Sequence, residues 1–168
     1  MKHLYLVRHA KSVWTDSGLS DYDRPLTHRG KSDSKMMGTT LKSEWGIALD
    51  KVLCSPARRA RATARRLTKG LGYERDQIVM EEIIYSGTEQ DLLNLISRQE
   101  NTCQSVMVIG HNPTLTDLVQ ILISEQVPEM DTCSVYGLTL DIGAWGAVSG
   151  SCARKLFFES PKHPHGGA

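Results

Sequence analysis

A chain of 168 residues is long enough for one domain with a substantial core and too short for two ordinary ones. Hydrophobic residues make up 40% and charged residues 23%, which excludes a disordered polymer. Lys and Arg total 20 against 19 Asp and Glu, and a net charge of +1 excludes the basic excess of a dedicated nucleic-acid binder.

The elements alternate along the chain. Leu4-Tyr5-Leu6-Val7 is a continuous apolar run, as in a strand buried on both faces. Thr27 is placed to cap a helix reaching about Trp45, with Met36, Met37 and Leu41 at helical spacing. Lys51-Val52-Leu53-Cys54 reads as a second strand. Ser55-Pro56 then reads as an N-cap followed by proline in the first helical position, and Gly70 and Gly72 mark the far end. Gln77 to Met80 is a third short strand, and Thr88 with Asp91 forms a capping box before Leu92, Leu93, Leu95 and Ile96. Ser105 to Ile109 is the clearest strand, and Asn112-Pro113 opens a helix carrying Leu115, Leu118, Val119 and Leu122. Ser134 to Asp141 and Ala153 to Phe158 form two strands joined by a glycine-rich turn.

This order predicts an α/β fold, a three-layer αβα arrangement with a mainly parallel sheet and a C-terminal antiparallel edge hairpin. One domain is expected over residues 1–159, and residues 160–168 read as a flexible tail in which His163 and His165 are exposed. Cys54, Cys103, Cys133 and Cys152 lack metal-ligand spacing, so buried thiols in a reducing compartment are expected rather than zinc or disulfides. No apolar run reaches the length of a membrane span, and the N-terminal apolar stretch is too short for a signal peptide. A cytoplasmic protein with neither nucleic-acid nor membrane partners is the expectation.

Ligands of such sheets bind beyond the carboxyl ends of the strands. Arg8-His9, Ser55-Pro56 and Gly110-His111 each follow a predicted strand, so three segments converge on one sheet edge. Arg58 falls in the first turn of its helix, where free N–H groups and the macrodipole already favour an anion. An arginine at that end needs a reason, and a bound phosphate supplies one; Arg59, Arg61, Arg65 and Arg66 read as a solvated face. Two histidines and two arginines without metal-ligand spacing suggest a dianion pocket, in which one imidazole can act as nucleophile.

Four segments carry a family resemblance. Arg8-His9-Ala10, Asp23-Arg24-Pro25-Leu26-Thr27-His28-Arg29-Gly30, Ser55-Pro56-Ala57-Arg58-Arg59-Ala60-Arg61-Ala62-Thr63 and Val108-Ile109-Gly110-His111-Asn112-Pro113 occur in the order found in the histidine phosphatase superfamily. The sequence most resembles its small SixA-type phosphohistidine phosphatase branch. The resemblance implies that His9 accepts the phosphoryl group while Arg8, Arg58 and His111 hold its oxygens. It further implies catalysis with no metal and no cofactor. A glutamate acid in larger relatives falls at Glu82 in Met80-Glu81-Glu82, with Glu81, Asp16 and Asp23 as alternatives. Ala10 stands where many relatives have glycine, and the Ala10 to Asp16 loop lacks the asparagine of mutases, which argues against mutase activity. Only 22 residues separate Thr88 from Ile109 inclusive, leaving little room for a lid. The implied function is a signalling phosphatase acting on a phosphorylated histidine-containing protein. A small-molecule phosphomonoesterase and a non-catalytic phosphate-binding module are the alternatives.

Overall fold

The computed structural model describes residues 1–14 and 18–163. Six strands, β1 (Lys2–Arg8), β2 (Lys51–Cys54), β3 (Ile78–Met80), β4 (Ser105–Gly110), β5 (Val135–Leu140) and β6 (Ala153–Glu159), form one sheet in the order β3-β2-β4-β1-β5-β6. β3, β2, β4 and β1 are parallel, β5 runs antiparallel to β1, and β6 runs antiparallel to β5. The helices are α1 (His28–Ser43), α2 (Arg58–Leu71), α3 (Glu82–Ser86), α4 (Glu89–Ser97) and α5 (Thr114–Ile123). The mixed α/β architecture and its antiparallel hairpin match the sequence expectation.

Strand alternation divides the core. Leu4 and Leu6 point to the face covered by α4, α5 and Trp145, while Tyr5 and Val7 point to the face covered by α1 and α2. α1 and α2 approach closely because Gly38 and Gly70 meet. A Cβ on Gly38 would lie 2.3 Å from the Leu67 carbonyl oxygen, so neither helix tolerates a side chain there. Thr27 caps α1 by accepting from the Gly30 amide, and the Thr88–Asp91 capping box starts α4.

Four expectations differ from the structure. α2 begins at Arg58 rather than at Pro56, because Ser55 Oγ accepts from the Ala57 amide in a tight turn and Ala57 stays extended. Met36 faces solvent, whereas Met37 and Leu41 are buried. The β5–β6 connection is longer than a turn and carries Trp145, which is fully buried and donates from Nε1 to the Cys103 carbonyl at 2.8 Å. The expected tail is ordered at its start: Ser160 is buried and donates to Asp131, and Lys162 pairs with Asp131 at 3.2 Å. Residues 164–168, including His165, lie outside the described residues.

Register explains why three segments meet. Arg8 stands beside Gly110 and Cys54 beside Ile109, so β1, β2 and β4 end level with one another. His9, Ser55 and His111 therefore emerge side by side on one edge.

Candidate active site

The edge opens into a cavity of about 800 Å³ lined by Arg8, His9, Ser12, Arg24, Arg59, Tyr85 and His111, among others. Its lining residues include the cations Arg8, Lys11, Arg24, Arg29, Arg59 and Lys162 against the carboxylates Asp21 and Asp33. That excess suits a dianion.

His9 is held from both sides. Its main-chain N–H donates to the Gly110 carbonyl, and the Cys133 amide donates back to the carbonyls of Arg8 and His9. Thr63 Oγ1 accepts from the Ala10 amide at 2.9 Å, tying the loop to α2. Ala10 is fully buried in this position, so the absence of glycine leaves the local path intact. The His9 Nδ1–H donates to the Ala10 carbonyl at 2.8 Å, which fixes the tautomer and leaves the Nε2 lone pair facing the cavity. Burial pushes the His9 imidazole down to about 3, with the neighbouring His111, Arg59 and Arg8 adding to the effect, so it is neutral at physiological pH.

The arginine that reaches these histidines is Arg59, not Arg58. Arg59 is 5% exposed; its Nε–H donates to His9 Nε2 at 3.3 Å and its Nη2 to His111 Nδ1 at 3.3 Å. It also donates to the Asp21 carbonyl at 2.6 Å and to the Asp21 carboxylate at 3.0 Å. Arg58 is exposed on the opposite side of the turn and reaches only the Asp23 carbonyl, at 3.4 Å. The reason is helical phase. Arg59 precedes Thr63 and Leu67 by four and eight residues on the buried stripe of α2, whereas Arg58 lies above Ala62 and Arg65 on its outer face.

His111 donates from Nε2 to Ser55 Oγ at 2.7 Å and turns Nδ1 to the cavity. Burial, then Arg59, lowers its imidazole to about 4, against the opposing pull of the Asp21 carboxylate. The His9 and His111 rings lie 5.2 Å apart. Arg8 anchors Nη1 on the Met130 carbonyl at 2.7 Å, and its buried Nε has no partner among the described residues, which leaves a donor for an anion.

Asp21 and Tyr85 complete the wall, and the sequence reading missed both. Asp21 Oδ2 accepts from the Tyr85 hydroxyl at 2.9 Å as well as from Arg59, and Oδ1 accepts from Arg24. Desolvation opposes the Asp21 charge, but the Tyr85 hydroxyl, Arg59 and Arg24 outweigh it and hold the carboxyl down to about 2. Arg24 also donates to Ser12 at 2.7 Å and stacks over the exposed Trp14 ring at 4.3 Å. Asp21 sits among Asp16 and Asp23 with no periodicity to single it out, and Tyr85 belongs to α3, a five-residue helix too short for a periodic signal. Glu82 is exposed in the first turn of α3 and does not line the cavity. Glu81 likewise stays outside it, Asp23 accepts from Ser20 on the surface, and Asp16 lies outside the described residues.

Paired histidines and arginines at the carboxyl edge of a parallel sheet define a protein that handles phosphoryl groups. Residues 4–84 match the family model of the histidine phosphatase superfamily, branch 1. An uncharacterized protein of Mycobacterium tuberculosis is 30% identical over 165 residues, covering 93% of this chain and all of its own length. Phosphohistidine phosphatase SixA of Escherichia coli is 29% identical over 140 residues, covering 82% of this chain and 85% of its own. The structure of the protein histidine phosphatase SixA complexed with tungstate shares the fold, with a TM-score of 0.82 at 24% identity over 95% of this chain and 97% of that one. The chain belongs to the histidine phosphatase superfamily and is similar to its SixA-type members. Its coarse activity is that of a phosphatase. Among the described residues, no helix is long and apolar enough to cross a membrane.

Proposed function

We propose that the protein hydrolyses phosphohistidine on a protein through a phosphohistidine intermediate at His9. The observation that supports this most is the state of Asp21. The carboxylate beside the two histidines accepts from the Tyr85 hydroxyl, Arg59 and Arg24, contacts that hold it ionised and leave it no proton for a departing alkoxide. A phosphohistidine substrate asks less of the enzyme, because its leaving imidazole carries a ring nitrogen that protonates near neutral pH, with an ordinary pKa of about 6.5.

In this reading the lone pair of His9 Nε2 attacks phosphorus in line with the P–N bond of the substrate. That bond breaks, and its electron pair returns to the substrate imidazole. Arg8 Nε and the Arg59 fork take the equatorial oxygens as charge spreads over them. Arg59 Nε exchanges its contact with His9 Nε2 for a phosphoryl oxygen as the substrate binds, which frees the lone pair for this attack. The arriving dianion favours the imidazolium of His111, which donates from Nδ1 as a third cation. Water next attacks phosphorus, the P–Nε2 bond breaks, and His9 recovers its lone pair while phosphate takes the proton of the water. The cationic groups supply the charge neutralisation that a metal would otherwise provide, so no metal is assigned a step.

The cavity lining reaches the surface at Trp14, which is 86% exposed, and so suits a side chain presented on a protein surface. The test is turnover of a phosphohistidine protein beside a panel of sugar phosphates. Preference for the protein supports the reading; preference for a sugar phosphate replaces it with the phosphomonoesterase alternative. Phosphate binding without turnover on either would leave a binding module.

A further inference from the structure

The outward face of α2 concentrates positive charge that the catalytic cavity does not use. α2 carries five arginines and Lys69 and no acidic residue, so with a chain net charge of +1 the rest of the molecule is net negative. Arg59 turns into the cavity, while Arg58, Arg61, Arg65, Arg66 and Lys69 remain on the other side with Lys31 from α1. Among the described residues none of these six forms an ion pair with a carboxylate. Arg61 has a buried Nε without a partner among the described residues. Burial and the neighbouring Arg75 and Arg61 depress the Arg65 guanidinium, the signature of cations crowded on one another.

This arrangement works against the helix. Arg58 and Arg61 oppose the positive N-terminal end of the macrodipole, and Arg61–Arg65 and Arg65–Lys69 are like-charge pairs four residues apart. The surface is also concave. Three depressions of about 290, 670 and 560 Å³ meet at Arg66, which lines all three, while Lys31, Arg65 and Lys69 each line two, so they run together along α1 and α2. They begin next to the active site, since consecutive residues face opposite ways: Arg24 and Arg59 line the cavity, Pro25 and Arg58 the groove.

We propose that this groove docks an acidic segment of the phosphoprotein substrate while its phosphohistidine enters the cavity; the proposal rests on the function given above. Charge complementarity carries it: the described residues lining the three depressions include eight Lys and Arg side chains against the single carboxylate Glu74, and such a track, starting at the cavity shoulder, suits a polyanionic chain. A peptide segment is favoured over single-stranded nucleic acid. Among the described residues the aromatic rings along the three depressions are Tyr73 and the imidazole of His28, so there is no row of platforms for stacked bases. The 14 residues of α2 span roughly 20 Å, which about six extended residues would cover.

Two synthetic phosphohistidine peptides, identical except for a flank of about six glutamates or of serines, test this. The glutamate peptide should show a kcat/KM higher by about tenfold, falling towards parity at high salt. Arg61→Gln/Arg65→Gln should abolish the preference and leave the kcat/KM of the serine peptide unchanged. It should also raise the thermal midpoint, since it removes self-repulsion; a variant that binds less because it is misfolded would lower it. Equal kinetics for the two peptides, or a glutamate preference that survives in the double variant, would overturn the proposal. If neither peptide turns over, the catalytic reading fails. The groove is then judged by fluorescence anisotropy of the unphosphorylated glutamate peptide: binding that is lost in the double variant supports it. Binding of an oligouridylate by these arginines, with none of the peptide, refutes it.

Discussion

Replacing Arg59 by alanine removes four polar contacts at once: His9 Nε2 at 3.3 Å, His111 Nδ1 at 3.3 Å, the Asp21 carbonyl at 2.6 Å and the Asp21 carboxylate at 3.0 Å. Loss of one preorganised donor to a developing oxyanion costs about 10²–10³ in kcat, or roughly 3–4 kcal/mol. Arg59→Ala should fall in this range or beyond, because a buried fork contacts both histidines. Arg59→Lys should recover only part of the loss, since a point charge cannot give two parallel bonds to phosphoryl oxygens. Arg58→Ala should stay within about twofold, as an exposed side chain with one 3.4 Å contact warrants. Steady-state kinetics on a phosphohistidine peptide with a neutral flank measures all three. NMR titration of the imidazoles supplies a second signature. Arg59 lowers both histidines, so both should titrate at higher pH in Arg59→Ala while the fold remains intact. A large loss in Arg58→Ala with wild-type turnover in Arg59→Ala would refute the assignment of roles on this helix.

Three further outcomes follow from the same geometry. His9 and His111 are depressed from 6.5 to about 3 and about 4, so the unfolded chain binds more protons below pH 6.5. Their contribution to stability is therefore intact above about pH 6.5 and is lost as pH falls towards those values; at about pH 4.5 His9 alone accounts for roughly 2–3 kcal/mol. Urea midpoints should show this loss, and His9→Ala should flatten it. Glu82→Gln should leave hydrolysis of both phosphohistidine and alkyl phosphates within about twofold, because Glu82 lies outside the cavity; a selective loss on alkyl phosphates would restore it as the acid. Activity should survive exhaustive chelation, and a loss restored by Mg²⁺ or Zn²⁺ would contradict the assignment of charge neutralisation to Arg8, Arg59 and His111.

The sheet was legible because its signals are long-range in composition and short-range in period. The short apolar runs at residues 4–7 and 105–109 read as buried strands, and two such strands in parallel register bring His9 and His111 together. The choice between Arg58 and Arg59 was legible in principle. Ala60, Thr63, Ala64, Leu67 and Leu71 set the phase of α2, and Arg59 falls on it. A helix start at Ser55-Pro56 hides that phase, because a first-turn anion site does not by itself distinguish which way consecutive side chains turn. Asp21 and Tyr85 were illegible for another reason. Their positions depend on a loop and a single helical turn fixed by tertiary contacts, with the Tyr22–Tyr85 edge contact joining the two segments. The start of the expected tail was misread in the same way: nothing local marks Ser160 as buried, and its partner Asp131 is 29 residues away.

The central claim is that phosphorus passes through His9 Nε2. The direct measurement is rapid acid-free quenching of the enzyme during turnover of a phosphohistidine peptide, followed by intact mass and fragment analysis with ³¹P NMR of the trapped protein. One added phosphoryl group is expected on Nε2 of His9, stable to alkali and labile to acid, absent in His9→Ala and formed and lost at rates compatible with kcat. Wild-type turnover by His9→Ala, or a phosphoryl group found on another residue at a competent rate, would contradict it.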